Sequence, residues 1–243
     1  MARRRKLPTP PEPNVSLSDP KPPTPRQAIA TAALAIFAIT ITAWLATMPR
    51  AEVAQTDLAT WFNHPPQPIA ALFAVVNPLF RPIPLIILGL LWIIWVLLTA
   101  TQTSQRWELV RAAIVTFLIA EVAALIAKHA ASQPRPLAVL PGMDDHGYPI
   151  QPHGNAYPSA HTAAVVGLVA GLWPWMRWPQ RIVGLAAAVL VATNRLYIGA
   201  HWPIDVVGGA AIGLFAASIA WLIAAEWPIR RQRSPKEPNP QLD

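Results

Sequence analysis

Long apolar stretches constrain this chain more than any other feature of its sequence. A helix needs about 20 mostly apolar residues to cross a bilayer, and six stretches meet this requirement: 27–48, 83–100, 109–127, 159–176, 182–198 and 206–226. Apolar residues make up 53% of the chain and charged residues only 13%, which is about half the charged share of soluble domains. The sequence therefore predicts an all-α, polytopic membrane protein, with six transmembrane helices forming a helical-bundle core over residues 27–227.

Two apolar segments need a separate interpretation. We expect the first stretch to be a retained anchor rather than a signal peptide, because its basic cluster lies far upstream and its apolar run is of spanning length. Residues 69–80 are apolar but too short to span, and they lie between Pro68 and Pro82. They are predicted to be an interfacial or re-entrant piece.

Proline and basic residues concentrate at the two ends of the chain. Residues 1–26 and 228–243 hold few large apolar side chains, so they are predicted to be disordered tails. Six spans place both tails on one side, and basic residues mark the cytoplasmic side. Cytoplasmic tails put most of the 19 lysines and arginines there. We therefore expect a multi-pass cell-membrane protein with both termini in the cytoplasm.

Composition also excludes several kinds of protein. The chain has no cysteine, which excludes disulfide frameworks, thiolate zinc sites, iron–sulfur clusters and cysteine nucleophiles. Its net charge of +7 suggests nucleic acid, but the basic clusters are terminal and flank hydrophobic segments. A nucleic-acid interface would interleave basic and aromatic residues along one element, so no nucleic-acid partner is expected.

Polar and charged side chains nevertheless recur at the predicted outer ends of the spans. Ionisable residues in such places are costly and usually functional. We expect seven of them to meet in one site: Lys128, Arg135, Ser159, His161, Arg195, His201 and Asp205.

The three cations of this set suit a phosphate group. Lys128, Arg135 and Arg195 offer many hydrogen-bond donors and no acceptor. Ser159 is a good N-cap for the helix after Pro158, and the first amides of that helix, beginning at Ala160, form an anion site.

The two histidines suit acid–base and nucleophilic chemistry. Pro203 favours the first turn of the sixth helix, which places Asp205 in that turn and His201 just before it. A carboxylate at this spacing accepts the Nδ1–H of the imidazole and leaves Nε2 free as a nucleophile. His161 is then placed to protonate a leaving oxygen.

These segments resemble the type 2 phosphatidic acid phosphatase family. The pattern is Lys-x6-Arg-Pro over 128–136, Pro-Ser-x-His over 158–161 and Arg-x5-His-x3-Asp over 195–205. Members are mostly six-span membrane lipid phosphatases, related to the vanadium haloperoxidases. The resemblance implies that His201 forms a phosphohistidine, that Asp205 orients it, and that His161 acts as general acid and then base. It also implies a set of phosphate-binding groups: Lys128, Arg135, Ser159, the Ala160 amide and Arg195.

The chain departs from the family pattern at two positions. Ala160 stands where the family usually has glycine. Alanine is well tolerated at this position if it is the first helical residue. Asn194 stands where the family usually has serine. Asparagine is larger, which puts a direct phosphate contact from this position in doubt.

The resulting prediction is a lipid phosphatase that acts at the extracytoplasmic face without metal or cofactor. A polyprenyl diphosphate such as undecaprenyl diphosphate is the leading substrate. Phosphatidylglycerol phosphate and phosphatidic acid remain alternatives, as does transfer of the phosphoryl group to an acceptor other than water. A haloperoxidase or a non-enzymatic membrane protein is less favoured.

Three other groups of residues have structural interpretations. The acids and histidines of loop 137–157 suggest a metal site, but a solvated loop or an entry lid is preferred. Glu121, two turns before Lys128, is either a polar pathway residue or a partner in an interhelical hydrogen bond. Five tryptophans are predicted to be interfacial anchors: Trp61, Trp107, Trp178, Trp202 and Trp227.

Overall fold

Helices form all of the regular structure in the described part of the chain. The structure, a computed structural model, describes residues 23–48, 50–100, 102–148 and 154–232, except for the side chains of 130 and 226–232. The described residues form α-helices and no strand, so the predicted all-α class is confirmed. The helices are α1 (Pro25–Ala46), α2 (Ala51–Asn63), α3 (Gln67–Val76), α4 (Pro82–Thr99), α5 (Thr103–Ala130), α6 (Pro136–Val139), α7 (Ala160–Leu172), α8 (Trp178–Tyr197) and α9 (Pro203–Gln232). Two short 3-10 turns lie at Asn77–Phe80 and Trp173–Trp175.

Four of the described helices are long and apolar enough to cross a membrane: Pro25–Ala46, Pro82–Thr99, Thr103–His129 and Pro203–Ala225. The chain is therefore a multi-pass membrane protein. The other two predicted spans also form helices, but α7 has only 13 residues. The 20 residues of α8 include arginine near both ends. The count of six spans thus stays a prediction.

The first and last described helices extend a few residues past the predicted tail boundaries. Thr24 caps α1, because its hydroxyl accepts the Gln27 N–H at 3.4 Å and the Gln27 side chain accepts the Thr24 N–H at 2.9 Å. Pro25 then suits the first helical position. At the other end α9 continues to Gln232. The rest of both predicted tails, 1–22 and 233–243, lies outside the described residues.

The first halves of α7 and α9 pack with their backbones in close approach. A Cβ at Gly209 would lie 2.4 Å from the carbonyl oxygen of Ser159, and one at Gly213 would lie 2.6 Å from that of Ala163. Only glycine fits such an approach. A hydrogen bond from Ser159 N–H to the Asp205 carbonyl, 3.0 Å long, joins the two helix starts.

The helices alternate in direction, so their ends form two groups. The α7–α8 turn contacts the C-terminal end of α4, where Gln180 Nε2 donates to Thr99 Oγ1 at 2.8 Å. The N-terminal end of α4 follows Phe80, whose carbonyl accepts Arg195 Nη2 at 3.3 Å. The starts of α4, α7 and α9 and the ends of α5 and α8 therefore lie together, away from the α7–α8 turn.

One tryptophan prediction is wrong. Trp61, Trp107 and Trp178 are exposed on the protein surface, as anchors would be. Trp202 is fully buried, and its indole N–H donates to the Pro134 carbonyl at 2.7 Å. It holds the loop before α6 against the start of α9, because a buried indole needs a partner for its N–H. The side chain of Trp227 lies outside the described part.

Candidate active site

The structure brings the residues of all three motifs to one end of the bundle. Lys128 lies in the last turn of α5, and Arg135 directly precedes α6. Arg195 lies in the last turn of α8. Arg135 Nη1 reaches the carbonyl of Ala200 at 3.5 Å, next to His201.

His201 and Asp205 form a buried pair at the start of α9. His201 is 4% exposed and Asp205 is fully buried. His201 Nδ1 lies 3.4 Å from Asp205 Oδ2, which also accepts the Trp202 N–H at 2.7 Å. A distance of 3.4 Å is longer than that of a strong hydrogen bond. Catalytic hydrogen bonds often tighten only when substrate is bound.

Burial and positive charge together keep His201 neutral. Burial lowers the pKa of His201 well below its usual value, and the charges of Arg135, Lys128 and Arg195 lower it further. A neutral imidazole has a lone pair for attack on phosphorus. Burial also lowers the pKa of Arg135, although an arginine in a protein remains a cation.

Ser159 occupies the N-cap position of α7, as predicted, but its side chain does not cap the helix. Its buried hydroxyl accepts the hydroxyl of Thr162 at 2.9 Å. The first amides of a helix have no partner within the helix, so the amides of Ala160 and His161 suit an anion at this point. Ala160 is the first helical residue, and alanine is therefore well accommodated there.

Arg195 is held by several protein groups. It is 2% exposed. Its Nη1 donates to the hydroxyl of Tyr148 at 3.1 Å, and its Nη2 donates to the Phe80 carbonyl and to Asn194 Oδ1. Its guanidinium carbon lies 4.6 Å from the centre of the Tyr148 ring, a cation–π distance.

Asn194 turns away from a direct phosphate-binding role. Its Nδ2 donates to Asn77 Oδ1 at 2.9 Å, while its Oδ1 accepts from Arg195. Both ends of the amide are therefore engaged in holding neighbouring side chains.

The described part of loop 137–157 packs on the bundle rather than standing free in solvent. Asn63, at the end of α2, donates to the Asp144 carbonyl at 2.8 Å and accepts the Asp144 N–H at 2.9 Å. His146 stacks on Tyr197 with ring centres 3.9 Å apart. Asp144 and Asp145 accept loop amides, those of His146 and Gly147. His153, the remaining member of the suggested metal cluster, lies outside the described residues.

Sequence reasoning missed Asn63, Asn77 and Tyr148. One signal was available, since Asn77 is the single amide in the apolar run 69–80. A lone amide in such a run needs a buried partner. No local pattern distinguished Asn63 or Tyr148.

Comparison with known proteins agrees with this motif set. Residues 109–228 match the model of the PAP2 superfamily. The chain is 30% identical over 125 residues to an undecaprenyl-diphosphatase of Sulfolobus acidocaldarius, covering 49% of this chain and 56% of that protein. It is 30% identical over 86 residues to the putative undecaprenyl-diphosphatase YbjG of Escherichia coli, covering 33% and 43%. The matches thus span about half the length of these relatives.

Two solved structures share the fold. LpxE of Aquifex aeolicus superposes with a TM-score of 0.56 at 24% identity, covering 69% of this chain and 94% of that one. A PAP2-type phosphatidylglycerolphosphate phosphatase of Bacillus subtilis superposes with a TM-score of 0.58 at 14% identity, covering 85% and 99%. Residues 109–228, which carry the three motifs, belong to the PAP2 superfamily.

Proposed function

We propose that this protein is a membrane lipid phosphatase that hydrolyses a lipid phosphate or diphosphate through a phosphohistidine. A polyprenyl diphosphate, with undecaprenyl diphosphate as the leading example, is the proposed substrate. Two curated relatives are named for that activity. The proposal extends the activity in their names to this chain.

One observation carries the proposal: a buried, neutral histidine with a carboxylate partner faces a concentration of positive charge. His201 Nδ1 lies 3.4 Å from Asp205, and three cations act on His201 electrostatically. Such a site suits an anionic phosphoryl group, whose charge spreads over several oxygens in the transition state. Because the cations are supplied by Lys128, Arg135 and Arg195, we propose that no metal ion is needed.

The first chemical step transfers the phosphoryl group to the enzyme. His201 Nε2 forms a bond to phosphorus while the bond from phosphorus to the leaving oxygen breaks. His161, at the start of α7, donates a proton to that oxygen. Asp205 balances the positive charge that develops on the imidazole, as carboxylates do in comparable triads.

The second step returns the enzyme to its starting state. His161, now neutral, takes a proton from a water molecule as that water attacks phosphorus. The bond between phosphorus and Nε2 breaks, and inorganic phosphate leaves. Ser159 and the Ala160 amide hold phosphoryl oxygens in both steps.

We further propose six spans, cytoplasmic termini and an extracytoplasmic active site. The contact between the α7–α8 turn and the far end of α4 supports this arrangement, because it places the turn opposite the site. Then α7 and α8 cross the bilayer as a pair, although α7 is short.

The test is phosphate release by the purified full chain in detergent, with EDTA present and His201→Ala as control. The substrate panel is undecaprenyl diphosphate, undecaprenyl phosphate, phosphatidylglycerol phosphate and phosphatidic acid. We expect release from the diphosphate to be fastest, and we expect the variant to lose it.

Two results would contradict the proposal. Equal release by His201→Ala would remove the phosphohistidine mechanism. Release only when a second lipid acceptor is supplied, with the phosphate found on that acceptor, would make the protein a phosphotransferase. Faster release from another lipid would replace the substrate and leave the mechanism standing.

A further inference from the structure

Several hydrogen bonds to the protein hold the guanidinium of Arg195 in place, so this side chain is not free to reorient around a ligand. We propose that Tyr148 and the Asn194–Asn77 amide pair are positioning residues that fix the orientation in which Arg195 binds the phosphoryl group. This inference rests on the proposed function, in which Arg195 contacts phosphate. It assigns a role to Tyr148 and Asn77, which the three motifs do not contain.

The hydrogen bonds to the protein determine which N–H groups of the guanidinium remain for a ligand. Arginine has five N–H groups in a fixed plane. Both hydrogens of Nη2 are engaged, by the Phe80 carbonyl and by Asn194 Oδ1, and one of Nη1 by Tyr148. Among the described residues, the buried Nε–H has no hydrogen-bond partner. Nε–H is therefore left for the substrate.

A buried N–H without a partner calls for an explanation, since native proteins rarely leave one. Only 2% of the Arg195 surface is exposed, so this N–H is buried in the protein. The positive charge of Arg195 also acts on His201, the proposed nucleophile. A phosphoryl oxygen at this point would satisfy the donor and explain why the site leaves it open.

Tyr148 is placed to set the plane of the guanidinium. Its hydroxyl accepts from Arg195 and donates to the Phe80 carbonyl at 3.1 Å, while its ring lies under the guanidinium. The Phe80 carbonyl therefore contacts both side chains. Tyr148 is itself 5% exposed, and its N–H donates to the Asp145 carbonyl at 2.9 Å. Its position is thus fixed from several sides.

The amide pair connects Arg195 to the segment before α4. Asn194 accepts from Arg195 and donates to Asn77, and Asn77 donates to the His146 carbonyl at 3.1 Å. Asn77 and Phe80 lie outside the 109–228 segment that matches the family. The N-terminal part of this chain therefore completes the phosphate site. Serine, the usual family residue at position 194, is too short to make both contacts.

The experiment measures phosphate release by the purified full chain on the best lipid of the panel, together with inhibition by vanadate. Tyr148→Phe keeps the ring under the guanidinium and removes both hydrogen bonds. We expect kcat/KM to fall about tenfold or more, since hydrogen bonds to charged groups are strong. Vanadate should inhibit more weakly by a similar factor. The matched control is Tyr197→Phe, which keeps the ring stacked between Phe73 and His146 and should leave both values unchanged.

A double-mutant cycle separates positioning from a general structural effect. Lysine at position 195 keeps the charge but lacks the planar fork. If Tyr148 acts through Arg195, Tyr148→Phe lowers kcat/KM much less in an Arg195→Lys background than in the wild type. An equal loss in both backgrounds would overturn the proposal. If Tyr148→Phe does not yield folded protein, Asn77→Ala goes through the same cycle with the same expected results.

The outcomes also separate this inference from the function on which it rests. Absence of phosphate release by the wild-type chain on every lipid would remove the proposed function. Release by the wild type with an unchanged Tyr148→Phe variant would overturn only the positioning role.

Discussion

The ionisation of His201 depends on its burial and on the cations beside it. Because both lower its pKa, the neutral, nucleophilic form persists as pH falls through about 6.5, the usual pKa of histidine. We therefore expect the acid limb that His201 contributes to kcat/KM to lie well below pH 6.5. Arg135→Gln removes one of the charges, and the limb should move to higher pH. The measurement is kcat/KM against pH for both proteins.

The substrate phosphate also ionises near pH 6, so the comparison must use one substrate for both proteins. The ionisation of the lipid is then common to the two profiles. A limb at the same pH in the wild type and in Arg135→Gln would contradict the electrostatic role of Arg135.

Asp205 offers a sharper test, because its two oxygens have different surroundings. Oδ2 accepts the Trp202 N–H and faces His201. In Asp205→Asn, the Trp202 N–H would keep the amide oxygen at the position of Oδ2. The variant would then lack the negative charge that balances the positive charge developing on His201. We expect kcat to fall by about 10³-fold or more, as in comparable triads, with circular dichroism unchanged. Near-normal turnover by the variant would show that the charge of Asp205 does not assist His201.

Helix packing sets the distance between the two histidine-bearing segments. Gly209→Ala places a methyl group against the Ser159 carbonyl, where a Cβ would lie at 2.4 Å. Overpacking of this kind costs about 1–3 kcal/mol, so we expect a melting temperature several degrees lower and a large loss of activity. Gly89→Ala in α4 is the matched control, because open space surrounds the added methyl group there. Similar melting temperatures for the two variants would show that α7 and α9 tolerate separation.

Sequence patterns predicted some elements and not others for identifiable reasons. The apolar stretches located α1, α4, α5 and α9, since composition alone determines which helices suit a bilayer. They did not reveal α2, which mixes polar and apolar residues over Ala51–Asn63. Likewise, the motif spacing predicted that the two histidines and three cations lie at one end of the bundle. Asn77 and Tyr148 were not predicted, because their contacts join residues far apart in the chain.

The orientation of the whole molecule follows from the way the helices alternate. Arg177, in the α7–α8 turn, lies beside the end of α4, where its Nη2 is 3.5 Å from the Thr99 carbonyl. If α7 and α8 cross the bilayer, this turn shares the side of the two chain termini. A chain in which only the four longest apolar helices cross would lack this contact, and its turn would lie on the same side as the active site. Position 177 therefore distinguishes six spans from four.

The chain has no cysteine, so single cysteines can report this without background. We expect Arg177→Cys and Ser18→Cys to resist a membrane-impermeant maleimide in intact cells and to react after permeabilisation. Pro141→Cys, at an exposed position near the site, should react in intact cells. Labelling of Arg177→Cys together with Pro141→Cys would contradict six spans and leave the site on the outer face. Labelling of Ser18→Cys without Pro141→Cys would reverse the orientation, and the phosphate site would then face the cytoplasm.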